Sequence, residues 1–557
     1  MIVRPNNSTG NFVQRGQGGL DPTPPNLEIG LQGTPSQISR LVGRDAFTDD
    51  LAVRRPWHRV IGKAYFDPTQ SQVIEHYERL EKTDEKPTIL TWSGHGLFVA
   101  ETRATASHPA GEWTAEMRGD VAQAILVLGD TVIRIKVLIG RIDRYKEDTQ
   151  EERAIASIRL LNGSPETFFE FIRRILSDRQ RDLSLVVGAD THWASTSPVS
   201  PFEFSLKPLK ISIDPQADAA NALSEGLAAC AVRLLQLRPA LAAGRIPETA
   251  RHARVALRRL RSFEKSFRPY TEEGSLREMA KTARRLARRI GAARDWDVFL
   301  DETLPASGVE VYEQTGATAL KDAAVDMRED AWSGVERAFK RRRFDLFLLD
   351  VLEEAICQGW RERGDASLNH AAQAFASRAL DERLFEARRL AHVSSSEEIE
   401  TLHDLRLGIK RFRYVAQMFR SAFEKDVRKP YFRALALLQT ELGILNDAVV
   451  AERLTNVAAA KADPSAALAA GFICGQSTLK SQLAADRAIV AWKALEEVEP
   501  FWLRQQPEGG LPTSPADSRF DGLSEILKNF GRGPENENAE RSISEDAGDG
   551  KGMTTDS

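Results

Sequence analysis

Two segments of the chain carry rows of basic side chains that repeat each other 152 residues apart. Spacings of three and four residues alternate within each row, so on an α-helix all six positions lie on one face. The first row is Arg251, Arg254, Arg258, Arg261, Lys265 and Arg268. The second row is His403, Arg406, Lys410, Arg413, Gln417 and Arg420. Because like charges at these spacings destabilise a helix, two such stripes indicate a docking surface for a long polyanion.

The charge of the chain is strongly segregated, although the net charge of its 557 residues is only −4. Residues 251–294 hold 14 Lys and Arg against 4 Glu, whereas residues 506–557 hold 5 basic and 11 acidic residues. The three cysteines are isolated in apolar helical pattern, which favours buried thiols in a reducing compartment. No signal pattern or apolar run of membrane-spanning length is evident. We therefore expect a cytoplasmic protein without a membrane partner.

The pattern along the chain predicts four parts. Residues 1–50 are rich in Gly, Pro, Asn and Gln and are expected to form a disordered leader. Residues 51–210 contain short β-like runs and one clear helix at 165–176, which indicates an α+β domain with a mainly antiparallel sheet. Residues 211–505 read as a long series of amphipathic helices, in repeat halves of about 211–360 and 361–505. Residues 506–557 are expected to be an acidic, disordered tail.

The basic stripes are expected at the border of a helical core. In the second copy an apolar row lies one residue ahead of the basic row and keeps its step, so it faces the core. A further basic seam, on the next helix of the first half, comprises Arg277, Lys281, Arg284 and Arg288. Adjacent helices with facing basic rows would form a positive groove, in which walls of low dielectric strengthen the field.

The segment Glu400 to Phe419, ETLHDLRLGIKRFRYVAQMF, resembles the signature helix of the CHAD family, the conserved histidine α-helical domains. The pattern H-x-x-R-x-x-x-K-R-x-R-Y is matched by His403, Arg406, Lys410, Arg411, Arg413 and Tyr414. In the first copy Arg254, Arg258, Arg259 and Arg261 match, while Arg251 stands at the histidine position with His252 beside it. Further matches are GAARDWDV, LLQTELGILND, RRF at 342–344 and the terminal PFW. The resemblance implies two pseudo-symmetric four-helix bundles with a basic groove that binds inorganic polyphosphate.

The stripes, the seam and the family pattern together predict a set of polyphosphate-binding residues. These are Arg251, Arg254, Arg258, Arg259, Arg261, Lys265, Arg284, Arg288, Arg343, His403, Arg406, Lys410, Arg411 and Arg413. Asp295 and Asp447, which also lie 152 residues apart, are expected to pair with arginines and hold their rotamers. Neither catalytic residues nor a metal site nor a cofactor is predicted.

Residues 51–210 resemble, more distantly, the CYTH domain of the triphosphate tunnel metalloenzymes. Tyr65-Phe66-Asp67-Pro68 is similar to that family's Y-F-D-T-P, and the run 155–176 is similar to its late strand and helix. The E-x-E-x-K strand that holds the divalent metal is absent from this chain. Ser157 and Arg159 stand where the relatives alternate acidic residues, and a cation there disfavours a carboxylate metal cage. The resemblance implies a degenerate tunnel or barrel that serves as a scaffold without activity.

The sequence thus predicts a non-enzymatic protein that binds inorganic polyphosphate and is associated with polyphosphate or storage granules. One alternative is a metal-dependent triphosphatase of the CYTH class, which would need the missing acidic strand. The other is a general nucleic-acid-binding protein, which would be expected to interleave aromatic or amide side chains for the bases. The acidic tail is a hypothetical competitor for the basic groove. Oligomeric state does not follow from the sequence.

Overall fold

The computed structural model describes most of the chain, apart from the two ends and several internal segments. The described residues are 2–3, 27–43, 51–67, 72–79, 88–93, 100–103, 112–144, 149–178, 182–186, 211, 213–271, 274–309, 316–393 and 399–503. The predicted acidic tail lies outside these residues, as does most of the predicted leader.

The N-terminal part is an antiparallel sheet. Its strands are β1 (Ile2–Val3), β2 (Leu27–Gln32), β3 (Leu51–Asp67), β4 (Gln72–Arg79), β5 (Thr88–Ser93), β6 (Ala100–Arg103), β7 (Glu112–Leu128), β8 (Thr131–Arg144), β9 (Thr149–Asn162) and β10 (Ser184–Val186). The strand order is β1-β2-β9-β8-β7-β3-β4-β5-β6, and β10 pairs with β2. The antiparallel sheet expected here is confirmed, whereas closure into a tunnel stays a prediction.

Two short helices accompany the sheet, α1 (Pro35–Ser39) and α2 (Pro165–Ser177). Helix α2 begins where Ser164 caps the backbone N–H of Thr167 with its hydroxyl, at 3.1 Å, and Pro165 takes the first helical position. Its Phe168 and Ile172 are fully buried, as are Ile133, Ile135 and Val137 of β8. The apolar side chains that alternate along β8 and those on one face of α2 thus form one apolar core.

The expectation of a disordered leader is wrong for residues 27–43. Leu27, Ile29 and Leu31 alternate along β2 and are buried, while Ile29 pairs with Ile158 of β9. Thr34 then begins α1 with a capping box that Gln37 completes. Composition averaged over the first fifty residues concealed this short alternating run, whose stability depends on a strand far along the chain.

The second part of the chain is largely helical, as expected. Its long helices are α3 (Ala219–Ala243), α4 (Pro247–Phe267), α5 (Ser275–Val298), α7 (Ala317–Lys340), α8 (Arg342–Cys357), α10 (Ala372–Val393), α11 (Ile399–Met418), α12 (Lys425–Ala459) and α13 (Ala467–Glu496). Two short helices, α6 (Leu304–Ser307) and α9 (Trp360–Arg363), lie between them. The order α3, α4, α5, α7 recurs as α10, α11, α12, α13, each starting about 150 residues later. Symmetry of the two bundles stays a prediction.

A buried ion pair joins the sheet to the helices. Arg238 of α3 donates from both terminal nitrogens to the carboxylate of Asp345 on α8, which also accepts from the backbone N–H of Leu185 in β10 at 2.9 Å. Only 1% of Asp345 is exposed. Because an unpaired charge is costly in the protein interior, these contacts hold Arg238, Asp345 and the backbone of Leu185 in place.

Helices α3 and α12 are long and apolar enough to cross a membrane by length and composition alone. In the fold, α3 packs against α4 and α8, and α12 packs against α13. Their length and composition are therefore only weak evidence for a membrane span, since the core helices of folded proteins share these properties.

Candidate functional site

The two basic rows lie on helices that contact each other. Helix α4 packs against α11, with α5 beside α4 and α12 beside α11. Helix α4 starts at Pro247 and buries its apolar stripe, including Leu257 and Leu260. Helix α11 buries Ile409 and Phe412 in the same way. The basic side chains next to these stripes are therefore held half-buried at the border of the core.

Six half-buried cations from the two helices form what we call the central cluster. Its members are Arg254, Arg258 and Arg261 of α4 and Arg406, Lys410 and Arg413 of α11. Burial, and then repulsion from Arg406, Arg254, Arg258 and Arg261, lowers the pKa of the Lys410 amine to about 8. Four guanidiniums thus lie close enough to Lys410 to disfavour its charged form. In the free protein this arrangement is electrostatically unfavourable, and a bound anion would relieve it.

Arg258 lies at the contact between the two helices. Its guanidinium carbon is 4.7 Å from the ring centre of Tyr414, in cation–π geometry. Its Nε is buried without a hydrogen-bond partner among the described residues. Burial and then repulsion from Arg258 lower the pKa of Arg413. With the Gln417 amide oriented to present its oxygen, Arg413 donates to it from Nε at 2.9 Å.

Beyond Arg261 the positive surface continues onto α5 and α10. Burial and then the charge of Arg284 on α5 lower the pKa of Arg261, and Arg288 adds to the effect. Burial and then repulsion from Arg411, Arg261 and Arg383 lower the pKa of the Lys265 amine. Arg284 and Arg288 are exposed. They therefore widen the positive surface toward solvent.

A carboxylate partly neutralises this side of the site. Glu386 of α10 pairs with Arg411 and accepts from Arg383 at 2.9 Å. Burial opposes the charge of Glu386, but the hydrogen bonds and charges of the two arginines outweigh it and lower its pKa. Arg383 also donates to the carbonyl oxygen of Lys265 at 3.0 Å. Arg411 is thus less available to an anion than the members of the central cluster.

Asp295 and Asp447 lie at the other side of the central cluster. Burial raises the pKa of Asp295, the charges of Arg254 and Arg453 oppose that rise, and Asp447 adds to it. A terminal nitrogen of Arg453 lies 3.7 Å from a carboxylate oxygen of Asp295. The negative charge of Asp447 favours the charged form of Arg406. Asp295 and Asp447, remote in the sequence, thus meet in space, where both act on arginines.

Several predicted residues lie apart from the central cluster or are already paired. Arg251 is exposed and donates to both carboxylate oxygens of Glu248, at 2.9 and 3.0 Å. Arg268, at the far end of α4, donates from two nitrogens to one carboxylate oxygen of Glu264. Local acids therefore neutralise the first and last residues of this stripe, which the spacing of the basic residues alone did not reveal.

Three more predicted residues have other surroundings. Arg259 is half-buried beside Cys230 of α3, and burial is the main cause of its lowered pKa. Arg343 is exposed at the start of α8, and no contact with the central cluster is seen among the described residues. His403 lies in the first turns of α11, and its side chain is outside the described part.

Arg383, Arg453 and Glu386 were not predicted to contribute. They lie outside the two repeated rows, on α10 and α12, and neither arginine has a basic residue three or four positions away. The sequence gives only the local pair of Arg383 and Glu386, three residues apart on α10, and packing brings these helices to the groove.

The described side chains of the sheet form no cage of carboxylates for a metal. Glu28 on β2 is 3% exposed and accepts from the Ser157 hydroxyl on β9 at 2.6 Å. Arg159 of the same strand lies 3.4 Å from its other oxygen. Within the described ranges no three His, Cys, Asp or Glu side chains come together as metal ligands. The Glu28 carboxylate is instead held by a hydroxyl and a guanidinium.

Comparison with known proteins identifies the helical part. The CHAD domain family model matches residues 225–456, so the chain contains a CHAD domain. The crystal structure of the CHAD domain from the plant Ricinus communis is similar to this chain, with 25% sequence identity and a TM-score of 0.46. The match covers 53% of this chain and 97% of the Ricinus chain. The structure of PptA from Streptomyces chartreusis shares 18% sequence identity with this chain, with a TM-score of 0.40. The match covers 50% of this chain and 100% of the PptA chain. Curated proteins give no match.

The family model confirms the predicted CHAD resemblance across both basic helices. The CYTH resemblance of the N-terminal part stays a prediction.

Proposed function

We propose that the protein binds inorganic polyphosphate in the groove between α4 and α11, without catalysing its turnover. The observation that carries this proposal is the central cluster, in which burial and four guanidiniums together lower the pKa of Lys410 to about 8. Half-buried like charges favour an anionic ligand, because the ligand removes repulsion that the free protein must bear. The CHAD domain supports the proposal, since its family is linked to polyphosphate binding.

The shape and chemistry of the groove favour a long phosphate chain over a single phosphate. From Arg254 to Lys265 the stripe on α4 extends roughly 16 Å, at about 1.5 Å per residue. Arginine offers bidentate, permanently charged donors to phosphate oxygens, and lysine adds a point charge. Each bridging phosphoryl group carries about one negative charge, so a continuous chain can meet successive cations along the stripe. Affinity should then come from many contacts and counterion release, and should decrease with salt.

The aromatic side chains beside the cluster disfavour nucleic acid as the main ligand. Burial raises the pKa of the Tyr414 phenol, and Arg258 covers its ring. Trp296 is 6% exposed and packs edge-on against Phe299. Neither ring therefore offers the open face on which single-stranded nucleic acids stack their bases. A phosphate chain without bases fits this lining better.

The test is direct binding of long-chain polyphosphate, compared with single-stranded DNA of matched total charge, at low and at physiological salt. Arg258→Glu reverses a charge within the cluster, and Lys480→Glu makes the same change on the exposed face of α13. We expect polyphosphate binding to survive physiological salt, to outcompete DNA, and to weaken at least tenfold in Arg258→Glu alone. Equal binding of both polymers, or equal loss in both variants, would mean that the surface is generically basic.

For the N-terminal sheet we propose a scaffold role without triphosphatase activity. The engagement of Glu28 by Ser157 and Arg159 supports this role, since a carboxylate held by a cation is a poor ligand for Mg²⁺. The test is phosphate release from triphosphate or ATP with added Mg²⁺ or Mn²⁺. We expect no release above a blank without protein, and metal-dependent turnover that is lost on mutating this half would contradict the proposal.

A cytoplasmic location at polyphosphate granules follows from the proposed binding. A fluorescent fusion of the full chain should colocalise with polyphosphate-rich granules and become diffuse when Arg258→Glu is introduced.

A further inference from the structure

Helix α13 carries a second apolar face in addition to the one that it buries. Half of the twelve large apolar side chains that are exposed in the described part of the chain lie on this helix. Five of them form what we call the outer stripe: Leu468, Phe472, Leu479, Leu483 and Val490, each 51–68% exposed. At about 100° per residue the five lie within an arc of about 60°, which points away from the buried Ile473, Ala484 and Ala488. The outer stripe thus lies outside the core that the described residues form.

The outer stripe has the spacing of a seam between packed helices. Its steps alternate between four and seven residues, which a helix converts into a nearly straight row along its axis. The row extends roughly 33 Å from Leu468 to Val490, at about 1.5 Å per residue. Apolar side chains that are exposed singly are normal on a protein surface, but a continuous row of five indicates a partner.

Gly475, at the edge of the outer stripe, indicates that another helix approaches closely. It lies inside α13, and a Cβ added there would meet nothing within 4 Å. A glycine inside a helix is less favourable than alanine, because it orders a more flexible backbone. None of the described neighbours requires this glycine, whereas a second helix packed against the stripe would gain from the missing side chain.

We propose that two copies of the chain form a dimer in which their α13 helices pack antiparallel along the outer stripe. A two-fold interface must be self-complementary, and the stripe meets this condition. With the axis at the level of Ser481, Phe472 of one copy lies opposite Val490 of the other. Leu479 likewise lies opposite Leu483. Each of these apolar side chains therefore meets an apolar side chain of the second copy.

The charges beside the outer stripe are compatible with this arrangement. The charged residues at its edges all come opposite uncharged ones: Asp486 opposite Gln476, Arg487 opposite Gly475, Lys480 opposite Gln482, and Lys493 opposite Ala469. Like charges that face each other across an interface cost several kcal/mol of affinity in general, and this register avoids them. The stripe therefore favours a second copy of the chain as its occupant.

The area of the outer stripe is sufficient for a dimer. With roughly 150–200 Å² for a fully exposed large apolar residue, the exposed fractions amount to about 500 Å² per copy. A patch of this size equals the largest that a typical monomer exposes. Two copies would bury about 1,000 Å² from these side chains alone, which reaches the lower limit of a specific interface.

Sedimentation equilibrium of the purified full chain, from nanomolar to high micromolar concentration, tests the proposal. We expect the mass to rise from the 61.9 kDa of one chain toward twice that value. Leu479→Glu places a charge at the centre of the stripe and should weaken association at least tenfold. Val127→Glu, which changes a 40% exposed side chain on β7, is the matched control and should leave association unchanged. Circular dichroism checks that both variants are folded.

Two further variants test the antiparallel register. Phe472→Lys and Val490→Glu should each be monomeric alone, because each places an unpaired charge against an apolar side chain twice in the dimer. Mixed in equal amounts they should form heterodimers. In these the introduced lysine faces the introduced glutamate, and the unaltered Phe472 faces the unaltered Val490. Dimers in the mixture would also show that both variants are folded.

Three outcomes would overturn the inference. The first is a chain that stays at 61.9 kDa at every concentration, including one that instead binds vesicles of phosphatidylcholine and phosphatidylglycerol through the stripe. The second is an equal loss of association in Leu479→Glu and Val127→Glu. The third is a mixture of Phe472→Lys and Val490→Glu that stays monomeric. Association is measured without ligand, so these outcomes are independent of whether the protein binds polyphosphate.

Discussion

The affinity for polyphosphate should decrease as the pH rises from 7 to 9, because Lys410 loses its charge in this range. In the free protein, burial and the four guanidiniums lower its pKa to about 8. A bound polyanion screens that repulsion and attracts the ammonium group, so the pKa in the complex must be higher. Below pH 8 the amine is charged in both states, and the affinity is independent of its titration. Above pH 8 binding takes up a proton, and the affinity decreases.

The size of the effect follows from this pKa. If only the charged amine supports binding, the dissociation constant should increase about tenfold between pH 7 and pH 9, since each pKa unit corresponds to about 1.4 kcal/mol. Fluorescence anisotropy with labelled long-chain polyphosphate at constant ionic strength measures this change. Long chains keep the titration of the terminal phosphates negligible. Calorimetry in buffers of different ionisation enthalpy should also report the uptake of about one proton per site at pH 9.

Lys410→Arg is the matched control, because arginine keeps its charge throughout this range. Its pH dependence should be much weaker than that of the unaltered protein. Lys265 is a second amine with a lowered pKa. Any remaining dependence should therefore disappear in the double variant with Lys265→Arg. An unaltered protein whose affinity stays constant up to pH 9, or an equal decrease in Lys410→Arg, would refute the reasoning.

Three other predictions concern stability. Asp345→Ala leaves a buried guanidinium without its partner and should lower the free energy of unfolding in urea by about 3 kcal/mol or more; an unchanged midpoint would contradict the buried pair. Gly226→Ala would place a Cβ 2.0 Å from the Phe263 ring and should destabilise by about 1–3 kcal/mol, whereas Gly471→Ala, with open space around it, should not. Without ligand, thermal stability should rise with pH between about 8 and the ordinary lysine pKa of 10.5, because the unfolded chain then binds more protons at Lys410, and Lys410→Met should weaken that rise, leaving the smaller part that Lys265 contributes.

Much of the candidate site could be predicted from local sequence. The alternating three-and-four spacing places Arg254, Arg258 and Arg261 on one face whatever the helix packs against. The same holds for Arg406 and Lys410 on the second helix. Helix bounds at Pro247 and in the repeated segment likewise follow from signals within a few residues.

The neighbours that come from other helices could not be predicted in this way. Arg251 and Arg411 belong to the same basic pattern as Lys410, yet Glu248 and Glu386 neutralise them. Glu386 lies on α10, and its approach depends on how α10 and α11 pack. The pair of Arg251 with Glu248 is local, three residues apart on α4, whereas the pair of Arg411 with Glu386 depends on a distance between helices that the order of residues along one helix does not contain.

The strand at 27–32, near the N-terminus, likewise combines a local pattern that the sequence shows with a distant partner that it does not show. Its alternation of Leu27, Ile29 and Leu31 is local, but a strand this short is stable only when it pairs. Its partner β9 lies more than a hundred residues further along. Average composition therefore suggested disorder where the fold has a buried strand.

The sequence by itself determined that the chain has two basic helices and an antiparallel sheet, because helical and strand periodicities are properties of neighbouring residues. The tertiary structure alone decided that α4 and α11 pack together, so that three guanidiniums of α4 join Arg406 in acting on Lys410. That arrangement arises because each helix buries an apolar stripe against distant parts of the chain, and the stripes carry the cations with them. A lysine with a pKa of about 8 is thus a property of the packed protein.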